Sequence, residues 1–75
     1  MTPIMNILPD GTYIQKLFDP IQSHAIYGVD VKDAPEMKDK LKQCGAFKFR
    51  VIKNVYNKAV ICFALRKGAK IYAND

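Results

Sequence analysis

The sequence predicts an α+β fold of two layers: a mainly antiparallel sheet of four to six strands with one principal helix, about residues 34–44, packed on one face. Three observations predict it. One stretch has both ends and the apolar stripe of an amphipathic helix. Two runs of strand length follow it directly, and a Pro9-Asp10-Gly11 turn signal stands near the start. At 75 residues the chain reads as a single small domain spanning 1–75. A chain of that size buries roughly 60% of the surface its unfolded form exposes.

The first element expected is a hairpin in "ILPDGTYIQKLF", with strands at about 3–8 and 12–18 flanking Pro9-Asp10-Gly11. Proline fixes φ, aspartate favours the turn, and glycine tolerates φ > 0, as a type I turn with a glycine bulge requires. A rival reading exists for the same residues. Tyr13, Ile14, Leu17, Phe18 and Ile21 also fit helical spacing, with Thr12 and Gln15 as a capping box, but Pro20 cuts such a helix short. A connector from Asp19-Pro20 through His24 leads to "AIYGVDV", a strand with Ala25, Tyr27, Val29 and Val31 on one face.

The helix is the clearest element. Asp33 is expected as N-cap, Pro35 suits the first turn, and Glu36 lies three residues after the cap. Met37, Leu41 and Cys44 make a narrow apolar stripe, Lys38, Lys40 and Lys42 cover the rest, and Gly45 ends the helix. Two strands then follow at about 46–53 and 58–66, joined by "NVYN". In the first, Phe47, Phe49 and Val51 alternate with Lys48, Arg50 and Ile52, which places the rings under the helix and the cations toward solvent. The second, "KAVICFAL", is apolar on both faces and belongs in the middle of the sheet. "RKGAK" reads as a basic turn before a last short strand, "IYA".

Charge is the sharpest functional signal. The net charge is +5, and it is unevenly divided. Residues 1–36 carry two lysines against five acids, a net −3; residues 37–75 carry ten Lys/Arg against two acids, a net +8. A basic half favours a phosphate backbone or an acidic protein surface. The residues expected to contact nucleic acid are Lys48, Arg50, Lys53, Lys58, Arg66, Lys67 and Lys70, with Tyr56 and Tyr72 as rings able to stack on unpaired bases. No helix carries the Arg/Asn/Gln set of a major-groove reader, so low sequence specificity is expected, on single strands or duplex alike.

Other chemistries find little support. Cys44 and Cys62 are too few for a disulfide framework, and with one histidine they cannot complete a four-ligand zinc site, so reduced thiols packed in or near the core are expected. His24 has no nucleophile or orienting carboxylate at an interpretable spacing and is expected to be exposed or locally hydrogen-bonded. Pro9-Asp10 with Asp30-Val31-Lys32 satisfies the loose text of the PD-(D/E)xK nucleases, but the turn already accounts for Pro9-Asp10. Asp30, Asp33 and Glu36 could chelate magnesium, yet helix capping accounts for two of them. "AFKFRV" departs from the RNA-recognition-motif fingerprint, because Ala46 and Arg50 stand where an aromatic and an aliphatic residue belong. No catalytic residue, metal or cofactor is expected.

The rhythm of "FKFRVIKNVYNKAVICFALRKGAKIY", from Phe47 to Tyr72, is similar to the C-terminal sheet of small ribosome-dependent mRNA-cleaving toxins. It covers about a third of the chain. The resemblance implies Arg50, Arg66, Lys67 and Tyr72 as RNA-contacting or catalytic residues. The paired N-terminal helices of that family are not evident here, because Pro20 interrupts the only candidate.

Three functions are therefore carried forward. The first is a small, non-enzymatic nucleic-acid-binding protein that contacts phosphates through a basic C-terminal sheet face. The second is an interaction module or inhibitor docking on an acidic partner protein, with a homodimer through a sheet edge as one route. The third is a small ribonuclease of the mRNA-cleaving toxin type. No apolar stretch reaches the roughly 18 residues that span a bilayer, and the N-terminus lacks a basic n-region, so no membrane and a cytoplasmic location are expected.

Overall fold

The helix forms where the apolar stripe and the glycine stop place it. In the computed structural model, which describes residues 3–17, 23–53, 56–66, 69 and 71, α1 runs Ala34–Gln43. It buries Ala34, Met37 and Leu41, and Cys44 continues the stripe. Gly45 takes φ +96, a conformation that costs glycine little. Its N–H donates to the Lys42 carbonyl at 3.1 Å, and its own carbonyl accepts the Arg66 N–H at 3.1 Å. One glycine thus ends the helix and ties it to the far end of the sheet.

The start of α1 corrects the expected cap. A 3-10 turn, Val31–Asp33, runs straight into the helix, so Asp33 already has helical backbone (φ −95, ψ −7) and makes no side-chain cap hydrogen bond. A capping side chain needs extended backbone to reach back to the first amides. Glu36 is likewise no capping-box partner and instead pairs with Lys40 at 3.4 Å, one turn on.

Among the described residues four strands form one antiparallel sheet in the order β1-β2-β4-β3: β1 Tyr13–Lys16, β2 Ser23–Asp30, β3 Ala46–Lys53 and β4 Lys58–Leu65. With α1 on one face this is the α+β two-layer fold that the sequence predicts. β4 is central, as its two apolar faces require. Ile26 and Val29 from β2, Ala46 from β3, and Ala59, Ile61 and Phe63 from β4 meet the helix stripe in one core.

Two segments depart from expectation near the N-terminus. Residues 3–8 are not a strand; Ile4–Asn6 is a 3-10 turn bracketed by Pro3 and Pro9. One such turn brings positions i and i+3 to the same side, so Ile4 is fully buried and Ile7 packs beside it on the core. The Met5 N–H is satisfied by the Ile71 carbonyl at 2.8 Å. Pro9-Asp10-Gly11 does turn, with Thr12 N–H and Oγ1 both donating to the Pro9 carbonyl and Gly11 at φ +84, but it feeds β1 and does not join two strands. The hairpin is β1 with β2, and Tyr13–Lys16 form a strand and not the rival helix.

The facial pattern of β2 is also corrected. The register shifts between Ile26 and Val29, where Gly28 sits at φ +86. A bulge inserts one residue and exchanges the faces beyond it. Ile26 and Val29 therefore share the core side, and Ala25 and Tyr27 point the other way. A Cβ at Gly28 would lie 2.8 Å from the Gly11 carbonyl oxygen, so the tight approach to the Pro9–Thr12 turn needs glycine twice over.

Candidate nucleic-acid interface

The segment "AFKFRV" holds the decisive geometry. β3 carries a second bulge, a register shift between Phe47 and Arg50, with Lys48 at φ +55. Because the shift falls between the two phenylalanines, it sends them to opposite faces. Phe49 turns inward, packs against the core and meets Phe63 with ring centroids 6.3 Å apart. Lys38 and Lys42 from α1 lie 5.6 and 5.9 Å above its ring. Phe47 turns outward with Arg50. The Arg66 guanidinium carbon lies 5.2 Å from its ring centroid, and Lys48 Nζ lies at 6.0 Å. The expectation that both rings pack beneath the helix is thus corrected for Phe47.

Directly paired antiparallel residues share a face, so the outer face of the sheet can be read row by row. One row holds Tyr13 and Tyr27, with Val60 and Ile52 beyond them; the next runs Gln15, Ala25, Cys62, Arg50; the third runs Ser23, Ala64, Phe47. In the second and third rows small side chains occupy the middle strands, and Ala25 and Ala64 are excluded from solvent. The accessible side chains lie at the margins. Toward β1, Tyr13 is 58% exposed and stacks on Tyr27 at 4.9 Å with a 17° interplanar angle. Toward β3 stand Arg50, Lys48 and the Arg66–Phe47 pair. A depression of about 250 Å³ between them is lined by residues that include Leu17, Ser23, Arg50 and Cys62.

Electrostatics sharpen the division. β3 and β4 contain no acidic residue. Arginine over an aromatic face gains roughly 0.5–1 kcal/mol at an exposed site and loses freedom to wander, so Phe47 holds the Arg66 charge at the outer margin. Among the expected contact residues, Lys48, Arg50 and Arg66 come together there. Lys53 is exposed, but it pairs with Ala59 on the helix side of the sheet. Lys58 is engaged, donating from Nζ to Asp30 Oδ1 at 2.5 Å; that contact, with Lys32 nearby, holds the Asp30 carboxyl below its ordinary pKa. Tyr56 is 81% exposed in the β3–β4 connection, apart from the rows above. Lys67, Lys70, Tyr72 and the expected strand at 71–73 fall on or among residues outside those described, with only Ile71 described there.

Sequence reasoning missed Phe47, Tyr13 and Tyr27. The tyrosine pair was hidden because it depends on the β1–β2 register, and Phe47 because nothing about Lys48 as a residue type announces a positive φ. For His24 the exposed alternative is corrected. The residue is 6% exposed and stacks on Phe63 at 6.0 Å, inside the fold and not at its surface. Both cysteines are free thiols as expected, Cys44 buried and Cys62 half-buried. Burial pushes the Cys44 pKa up. Among the described residues no three His, Cys, Asp or Glu side chains are grouped to hold a metal, the Asp30/Asp33/Glu36 set included. No helix among them is long and apolar enough to cross a membrane.

Comparison with protein-family models, with curated proteins and with solved structures finds no match for this chain.

Proposed function

We propose that the protein is a small cytoplasmic nucleic-acid-binding protein, not an enzyme, whose outer sheet margin contacts phosphates. The observation that supports this reading best is the group Lys48, Arg50 and Arg66. Three cations, two from β3 and one from the residue after β4, stand on one side of the sheet, one of them fixed over the Phe47 ring, on strands without acids. Flexible lysine and forked arginine at that spacing suit a phosphate backbone and carry no base code. The same margin argues against strand addition. Among the described residues β3 is an edge strand, and a bulge together with outward cations is how edges avoid pairing with another strand.

The test is fluorescence anisotropy with labelled single-stranded and duplex DNA and RNA across a salt series. Binding should weaken linearly in log salt, with a slope near −0.7 per phosphate contact on a single strand. Arg50→Glu and Arg66→Glu should each weaken binding on every sequence and flatten the slope by about one contact. RNA recovered intact separates binding from cleavage. Absence of binding at low salt, with retention of the protein on polyglutamate, would replace this reading with an acidic protein partner.

A further inference from the structure

We infer that the outer face selects single strands over duplex, with unpaired bases stacking on Tyr13 while Arg50, Arg66 and Lys48 hold the adjoining phosphates. The inference rests on the proposed nucleic-acid reading and adds the class of nucleic acid and the residue that chooses it.

The argument starts from where the rings stand. Tyr13 and Tyr27 are direct cross-strand partners on the outer face, stacked at 4.9 Å and nearly parallel. Tyr27 is half-buried and Tyr13 is 58% exposed, so the pair has a fixed inner ring and an accessible outer one. A ring already stacked against its cross-strand neighbour is held at its angle, and a base arriving on its other side meets a prepared surface. Base–aromatic stacking tolerates any sequence because every base has a π-face. In a duplex those faces are covered by neighbouring base pairs, so duplex can use the cations but not Tyr13.

The cations lie at a useful separation. Arg50 is one row from Tyr13 and three strands across, a diagonal of about 16 Å at the usual strand spacing and rise. Among the described residues, the row between them carries the small side chains of Ala25 and Cys62. Phosphates drawn to Arg50 and Arg66 at one margin can therefore leave the bases of the same short strand lying toward the tyrosines. Charge complementarity commits the face to a polyanion, and the exposed ring commits it to one with free bases.

The experiment compares oligonucleotides of about a dozen units, within the ~4–16 that comparable surfaces cover. They are a thymidine oligomer, its uridine counterpart, the same-length duplex, and an abasic strand with the same number of phosphates. At least one of the two base-bearing single strands should bind at least about fivefold tighter than both the duplex and the abasic strand. Tyr13→Ala should bring the preferred strand to the abasic level and leave the abasic affinity unchanged, whereas Tyr13→Phe should retain the preference. Quenching of tyrosine fluorescence should accompany binding of base-bearing strands only. Tyr13 is exposed on a margin strand, so circular dichroism of Tyr13→Ala should match the parent.

If base-bearing, abasic and duplex ligands bind alike and Arg50→Glu weakens all of them, stacking is overturned and the phosphate reading stands. If Arg50→Glu and Arg66→Glu change nothing, the phosphate reading itself fails. A preference for bases that survives Tyr13→Ala overturns Tyr13 as the selecting residue.

Discussion

Phe47 and Phe49 are two residues apart on one strand, and each ring lies beneath two cations, yet they do opposite work. Phe49 faces the helix, touches Phe63 and is roofed by Lys38 and Lys42. Phe47 faces away and holds Arg66 and Lys48. Strict alternation would put them on the same side. The bulge at Lys48 separates them, and so turns a strand built for the core into one that serves both faces. The lesson is that a cation–ring contact does not by itself define a site. Over Phe49 the lysine stems extend the cover of the core, as long charged side chains often do; over Phe47 the contact positions a charge.

The comparison breaks most visibly by truncation. Phe49→Ala should cost about 3 kcal/mol in urea unfolding, at the low end for a phenylalanine because the ring is only partly buried. Phe47→Ala should cost under about 1 kcal/mol, within the range of surface changes, while releasing Arg66 and weakening oligonucleotide binding. Equal losses of stability at the two positions would mean that the faces are not distinct.

A smaller effect should come from the residue that separates the rings. Lys48 pays for its positive φ, so Lys48→Gly should leave stability unchanged or raise it by up to about 1 kcal/mol, and Lys48→Val should lower it by about 1–2 kcal/mol. Urea midpoints at matched m-values measure both. If valine is tolerated as well as glycine, the bulge does not set the facing of Phe47 and Phe49.

The smallest effect concerns the opposite end of β4. The folded-state pKa of Asp30 is lowered by Lys58, so its contribution is present above the ordinary carboxylate value and disappears as pH falls through the lowered folded value. Asp30→Asn should therefore be slightly less stable than the parent near neutral pH and equal to it in strong acid. Both groups are substantially exposed, so the difference should shrink in high salt. A gap that persists in acid would show that the asparagine disturbs more than the ion pair.

Much of the fold was legible because several local signals agreed. The stripe Met37, Leu41 and Cys44 ended by Gly45 gave the helix, and the doubly apolar "KAVICFAL" gave the central strand. The misreadings cluster where one residue changes the phase of a pattern. Gly28 could have been suspected of a bulge from its type, since isolated glycine in a strand often marks one. Lys48 could not, because lysine rarely adopts φ > 0 and its bulge arises from pairing with β4. Ile4 looked like strand, but with prolines on both sides it sits in one tight turn that buries it in the core. At the candidate site, the cations were read from composition, and the rings beside them only from register.

The outer face also contains its own reporter. Cys62 is in register with Arg50 on that face and lines the depression beside it, whereas Cys44 lies buried under the helix. The most direct measurement is the alkylation rate of each cysteine by a small thiol reagent, followed by mass spectrometry, with and without a saturating single-stranded oligonucleotide. The account predicts that the oligonucleotide slows modification of Cys62 several-fold and leaves Cys44 slow throughout. Unchanged modification of Cys62 under saturation would place the bound strand elsewhere and contradict the outer face as the binding surface.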